Sequence, residues 1–152
     1  MTTSCRRFLR TAIALAGVSC YADSTGPRPL RTLADVAGAW TLTVWEAVSV
    51  TDTTQRLDIK AELNAQVTLV VARDGAATLT SSVYGQSPNV ALATISVSGD
   101  TLVYHALTGD HRFLLGGTIY HMIWRGVVPQ YQDVNGDGLA DETRTLMEFV
   151  RS

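Results

Sequence analysis

Between residues 40 and 151, apolar and polar positions alternate with a period of two in a succession of short runs, the pattern of half-buried strands. In the first run Trp40, Leu42, Val44, Val48 and Val50 share one face, and Thr41, Thr43 and Ser49 take the other. Glu46 interrupts the apolar face. A bulge near Trp45 gives the opposite assignment downstream, burying Trp45 and turning Glu46 to solvent, because a one-residue slip exchanges the faces of a strand. Val67, Leu69 and Val71 alternate with Gln66 and Thr68, and Asp74-Gly75 is expected to supply two positive-φ residues for a tight hairpin into a strand over 76–84. Further strands are predicted over 90–97, 101–107, 112–115, 119–127 and 143–151, with Gly99-Asp100 and Gly109-Asp110 as turns and Gly116-Gly117 as a break or bulge.

This amounts to about eight strands at meander spacing, with a single helical turn predicted over 33–37 and a short helix or lid over the polar stretch 51–64. The fold class is all-β, an antiparallel up-and-down β-barrel, with a two-sheet sandwich as the alternative. Closure is favoured because it leaves no strand edge exposed to other chains.

The first residues do not follow this pattern. Arg6, Arg7 and Arg10 precede a short apolar run from Thr11 to Val18, and Ser19 precedes Cys20, as in a secretory signal too short to span a bilayer permanently. Residues 1–19 are therefore expected to be a signal peptide, 20–32 a tether and 33–152 the barrel domain. Cleavage before Cys20 leaves that residue as the N-terminus, in the manner of a bacterial lipoprotein, with lipidation at Cys20 as the expected membrane anchor. An ordinary signal peptide and a secreted soluble protein are the alternative.

Composition then narrows the function classes. Of 12 basic side chains, three lie in the signal, which leaves 9 against 14 acidic and a mature net charge of −5. A chain of that charge is an improbable partner for nucleic acid. With Cys5 removed and Cys20 carrying lipid, the barrel has neither disulfide nor thiol.

Gly38-Ala39-Trp40 at the start of the first strand and Phe149-Val150-Arg151 at the end of the last make residues 33–151 resemble the lipocalin-like proteins, particularly the small bacterial secreted ones. The resemblance implies barrel closure by Gly38, Trp40 and Arg151, with the indole in the base of the calyx and the guanidinium packed across it. It also implies an interior that receives a small, mostly apolar ligand. Two functions follow as expectations: an envelope-anchored protein binding a small apolar or amphipathic molecule, or a solid barrel that binds another envelope protein.

Several constellations bear on chemistry. Glu46, Tyr104, Tyr120 and Trp124 are candidates for the polar end of a ligand pocket. In Asp133-Val134-Asn135-Gly136-Asp137-Gly138-Leu139-Ala140-Asp141-Glu142, oxygen ligands at the first, third, fifth and ninth positions and the Leu139 carbonyl match the front of a calcium loop. Asp133, Asn135, Asp137, Leu139 and Asp141 are thus candidate ligands of a structural calcium. Position twelve is Arg144 rather than Glu, and a polar hairpin loop shaped by Gly136 and Gly138 is the competing assignment. His105, His111 and His121 are spaced without a recognised metal signature. No Ser, His and Asp set stands in the sequence surroundings of a known hydrolase, so no enzymatic activity is expected.

Overall fold

In the computed structural model the chain is described for residues 28–152. The signal-peptide segment and Cys20 lie outside the described residues. Ten strands form one antiparallel sheet: β1 (Gly38–Ser49), β2 (Arg56–Asp58), β3 (Gln66–Val71), β4 (Ala76–Ser82), β5 (Asn89–Ser98), β6 (Thr101–Ala106), β7 (Gly109–Thr118), β8 (His121–Gly126), β9 (Gln130–Gln132) and β10 (Asp141–Arg151). Two helical turns, α1 (Leu33–Val36) and α2 (Ile59–Glu62), accompany them.

The sheet closes on itself. β1, β3, β4, β5, β6, β7, β8 and β10 follow one another in space and β10 returns to pair with β1, giving an eight-stranded antiparallel barrel of the lipocalin-like kind. The closing pair is long, from Trp40↔Arg151 to Ser49↔Thr143, and outruns its neighbours. Beyond the last β3 partner of β1, the short β2 takes over at Glu46, Ala47 and Val48; beyond β8, the short β9 pairs with residues 141–143 of β10. A four-stranded ribbon, β2-β1-β10-β9, therefore stands above the rim. Neither small strand is evident from periodicity, because three residues are too few to show alternation.

The register of β1 shifts between Leu42 and Val44. Trp40 and Leu42 face inward before this bulge, and Ala47 and Ser49 are buried after it, with Trp45 against the core. The face expected to continue through Val44, Val48 and Val50, broken at Glu46, is thus corrected in favour of the bulged assignment. At Asp74-Gly75 the expectation of two positive-φ residues is also corrected: only Gly75 has φ +93°, and the Asp74 carboxylate accepts the Ala76 N–H at 3.0 Å instead. β7 is longer than predicted and runs through Gly116-Gly117. Gly117 is needed there, since a Cβ would stand 2.0 Å from the His121 carbonyl oxygen and φ is +93°.

The core is the barrel interior, built from Trp40, Leu69, Leu102, Met122, Trp124 and Phe149 with smaller aliphatic neighbours. Residues 28–32, expected in the tether, instead belong to the barrel base. Leu30 is buried in the core cluster, Pro29 bridges to Thr118, and the Arg28 carbonyl accepts the Ile119 N–H at 3.1 Å.

Candidate functional site

The two ends of the barrel differ in chemistry. At the closed end the Trp40 indole N–H donates to the Val36 carbonyl at 2.7 Å, fixing α1 as a plug. The Arg151 guanidinium lies over the Trp40 ring at 4.7 Å and donates to the carbonyls of Asp35 (3.0 Å) and Ala37 (3.3 Å). Gly38 leaves room for it, because a Cβ there would meet Arg151 Nη1 at 3.0 Å. Beneath this layer the buried Asp35 carboxylate accepts from the Thr32 hydroxyl (2.8 Å) and from the N–H groups of Thr32 (2.9 Å) and Arg31 (3.1 Å), and pairs with Arg28. Burial on its own pushes the Asp35 pKa up; these hydrogen bonds and the Arg28 charge outweigh it and hold the carboxyl below its ordinary value. Gly38, Trp40 and Arg151 lie together in this layer.

The other end holds a cavity of about 270 Å³ inside the barrel, lined by Leu42, Val67, Leu79, Val83, Phe113, Phe149 and their neighbours. Tyr104 and Trp124, two of the four candidate pocket residues, line it together, with ring centroids 6.3 Å apart. Burial raises the Tyr104 pKa, so its phenol stays protonated and is a donor beside Ser81 and His111 in a mostly apolar chamber. Trp124 is 3% exposed and packs between Phe113 (5.1 Å) and Phe149 (5.0 Å).

The remaining two candidates are elsewhere. Glu46 is carried to the outer face by the β1 bulge and pairs with Arg56 of β2 at 3.0 Å. Tyr120 is largely exposed in the β7–β8 turn at the closed end, where its carbonyl accepts the Arg151 N–H. The β1 bulge places Glu46, and the position of the β7–β8 turn at the closed end places Tyr120.

Sequence reasoning missed Trp45, His111, Phe113 and Met147. They line the inner chamber and also a mouth cleft of about 600 Å³, whose other walls include Ile59 and Leu63 flanking α2, Arg112, Gln130 and Gln132. The four residues thus form the collar between an apolar floor and a mouth of mixed polar and apolar lining. The 51–64 stretch does contribute a helical turn at this end. The only signal for Trp45 was the bulge alternative; His111 and Met147 carried none.

The 133–141 loop also lies at the mouth end. Asp133 accepts the N–H groups of Gly136 (2.7 Å) and Gly138 (2.9 Å), Asp137 accepts that of Leu139 (2.8 Å), and Asn135 accepts that of Asp137 (3.0 Å). Asp141 accepts from Val134 at 3.3 Å. The candidate calcium ligands are therefore turned onto the loop's own backbone, with positive φ only at Gly136 and Gly138. Among the described residues no group of three or more His, Cys, Asp or Glu side chains is arranged to hold a metal ion. The three histidines are separate: His105 pairs with Asp110, His121 with Glu148, and His111 faces the chamber.

Comparison with protein-family models, curated proteins and solved structures returned no match.

Proposed function

We propose that this domain is an exported binding protein, held at the cell envelope through lipid on Cys20, that carries a small amphipathic molecule in its calyx. The observation that carries the proposal is the unfilled chamber of about 270 Å³ beneath a mouth cleft of about 600 Å³. The chamber alone is slightly smaller than the roughly 300–1,000 Å³ of typical small-molecule sites. A guest therefore places an apolar end among Leu42, Val67, Leu79 and Phe149 and leaves its polar end in the mouth cleft beside His111, Gln130 and Gln132. Removal of apolar surface from water supplies the affinity, at roughly 25 cal/mol per Å² before the costs of association.

A solid barrel acting as a protein-binding module, with the 133–141 loop pinned by calcium, is the rival reading, and an internal chamber favours the calyx over it. The test is titration of the purified protein with an apolar naphthylamine dye, together with native mass spectrometry of protein from its own host. Saturable one-to-one dye fluorescence and a retained small-molecule mass are expected. Absence of both dye binding and a retained mass would refute the calyx reading.

A further inference from the structure

The outer wall of the barrel, on the side of β5, β6 and β7, holds a polar arrangement whose Asp110 also borders the mouth cleft. Ser96 Oγ lies 3.1 Å from His105 Nε2, and His105 Nδ1 lies 2.7 Å from Asp110 Oδ1. Strand register assembles it. His105 stands opposite Thr94 on β5 and opposite Asp110 on β7, while Ser96 is two residues along from Thr94, so all three side chains point outward from neighbouring strands. The turn at Leu107-Thr108 brings His105 and Asp110 together, and β5–β6 pairing brings Ser96 to the other ring nitrogen. A serine, an imidazole and a carboxylate in this order of contact form the relay that activates a hydroxyl as a nucleophile, and such relays are recognised by geometry rather than chain order.

The geometry points to Ser96 as an acyl-accepting nucleophile, with His105 as its general base and Asp110 as the positioning residue that orients the imidazole. Ser96 Oγ attacks the carbonyl carbon of an ester and its proton passes to His105 Nε2. The carbon–oxygen bond to the leaving alcohol then breaks, and the imidazolium returns the proton to that oxygen. Water next attacks the acyl-Ser96 carbonyl, gives a proton to His105, and releases the acid as the proton returns to Ser96 Oγ.

The site sets its own substrate class. Ser96 is exposed, and the side chains of His105 and Asp110 are 39% and 57% exposed, so the acyl group is met on an open wall rather than in a cleft. Arg112 is on the same face, opposite Val103, which is itself opposite Ser96, so it stands two strands away from the serine. An enclosed set of donors contributes about 10²–10³ in rate, and this wall lacks that enclosure. The substrates are therefore activated esters, whose leaving groups depart without such help, and not amides.

The experiment is labelling of the purified protein with a fluorophosphonate, read by peptide mass spectrometry, alongside release of nitrophenolate from p-nitrophenyl acetate. The expected adduct is on Ser96. Ser96→Ala removes both adduct and turnover, and His105→Gln slows labelling by about a hundredfold, the lower range for a general base. Asp110→Asn also slows labelling and alters its pH profile, and Asp110→Glu restores part of the rate. Absence of a Ser96 adduct above that on heat-unfolded protein would overturn the assignment. So would equal ester turnover in Ser96→Ala, which would place the chemistry on a free surface imidazole.

Discussion

The Arg151 guanidinium carbon lies 4.7 Å from the centre of the Trp40 ring, tying the last strand to the first across the closed end of the barrel. The same guanidinium donates to two carbonyls at the C-terminal end of α1, so a planar cation serves both as a stacking surface and as a cap. Arg151→Lys keeps the charge and loses the planar fork. A loss of about 1–2 kcal/mol is expected for the stacking and hydrogen bonds together, measured by urea unfolding.

Gly38→Ala tests the same layer from the opposite strand. The backbone has φ +143° and an added Cβ meets Arg151 Nη1 at 3.0 Å, so the substitution strains the chain and displaces the guanidinium together. A destabilisation of about 1–3 kcal/mol is expected in thermal unfolding. Combined with Arg151→Ala the two effects should sum to less than their separate values, because both act on one contact.

Asp35 gives the closed end a pH dependence. Its folded pKa is lowered from 3.8, so its contribution is present in full above the unfolded value and is lost as the pH falls through the lower folded value. Asp35→Asn should lower stability at pH 7 by about 1–3 kcal/mol, the range for disrupting buried hydrogen bonds, and should flatten the stability curve below about pH 4. Unfolding midpoints from pH 2 to pH 7 check both.

Ser81 lines the inner chamber beside Leu79 and Val83, and its small side chain is part of the free volume. Ser81→Phe is expected to fill that space and reduce dye binding at least tenfold, with the barrel intact by circular dichroism. Undiminished binding would move the site out to the mouth cleft.

In the 133–141 loop, Asp133 satisfies two backbone N–H groups. Asp133→Ala should therefore cost about 1–2 kcal/mol, comparable to the loss of a helix cap, and the cost should be the same with calcium and with a chelator. A loss confined to the calcium-containing sample would assign the loop a metal.

Much of this architecture is legible in one dimension because alternation is local. The faces of β3, with Val67, Leu69 and Val71 buried, the helical turn near residue 33, and the meeting of Trp40 with Arg151 were all readable from pattern or resemblance. Two of the four candidate pocket residues, Tyr104 and Trp124, line the chamber. Glu46 and Tyr120 do not, since a single-residue bulge decides the first and the end of the barrel at which a turn falls decides the second.

The amino-acid sequence by itself determined the strand periodicity and most of the hairpin turns, because each depends on neighbouring residues, and it favoured closure through apolar faces and edges that must be covered. Apart from Trp40 and Arg151, tertiary structure decided which side chains meet. The bulge after Leu42, the collar of Trp45, His111, Phe113 and Met147, and the Ser96–His105–Asp110 relay all arise from inter-strand register. Register is set by the whole closed sheet, so residues separated by many positions come within hydrogen-bond distance without leaving a local trace in the chain.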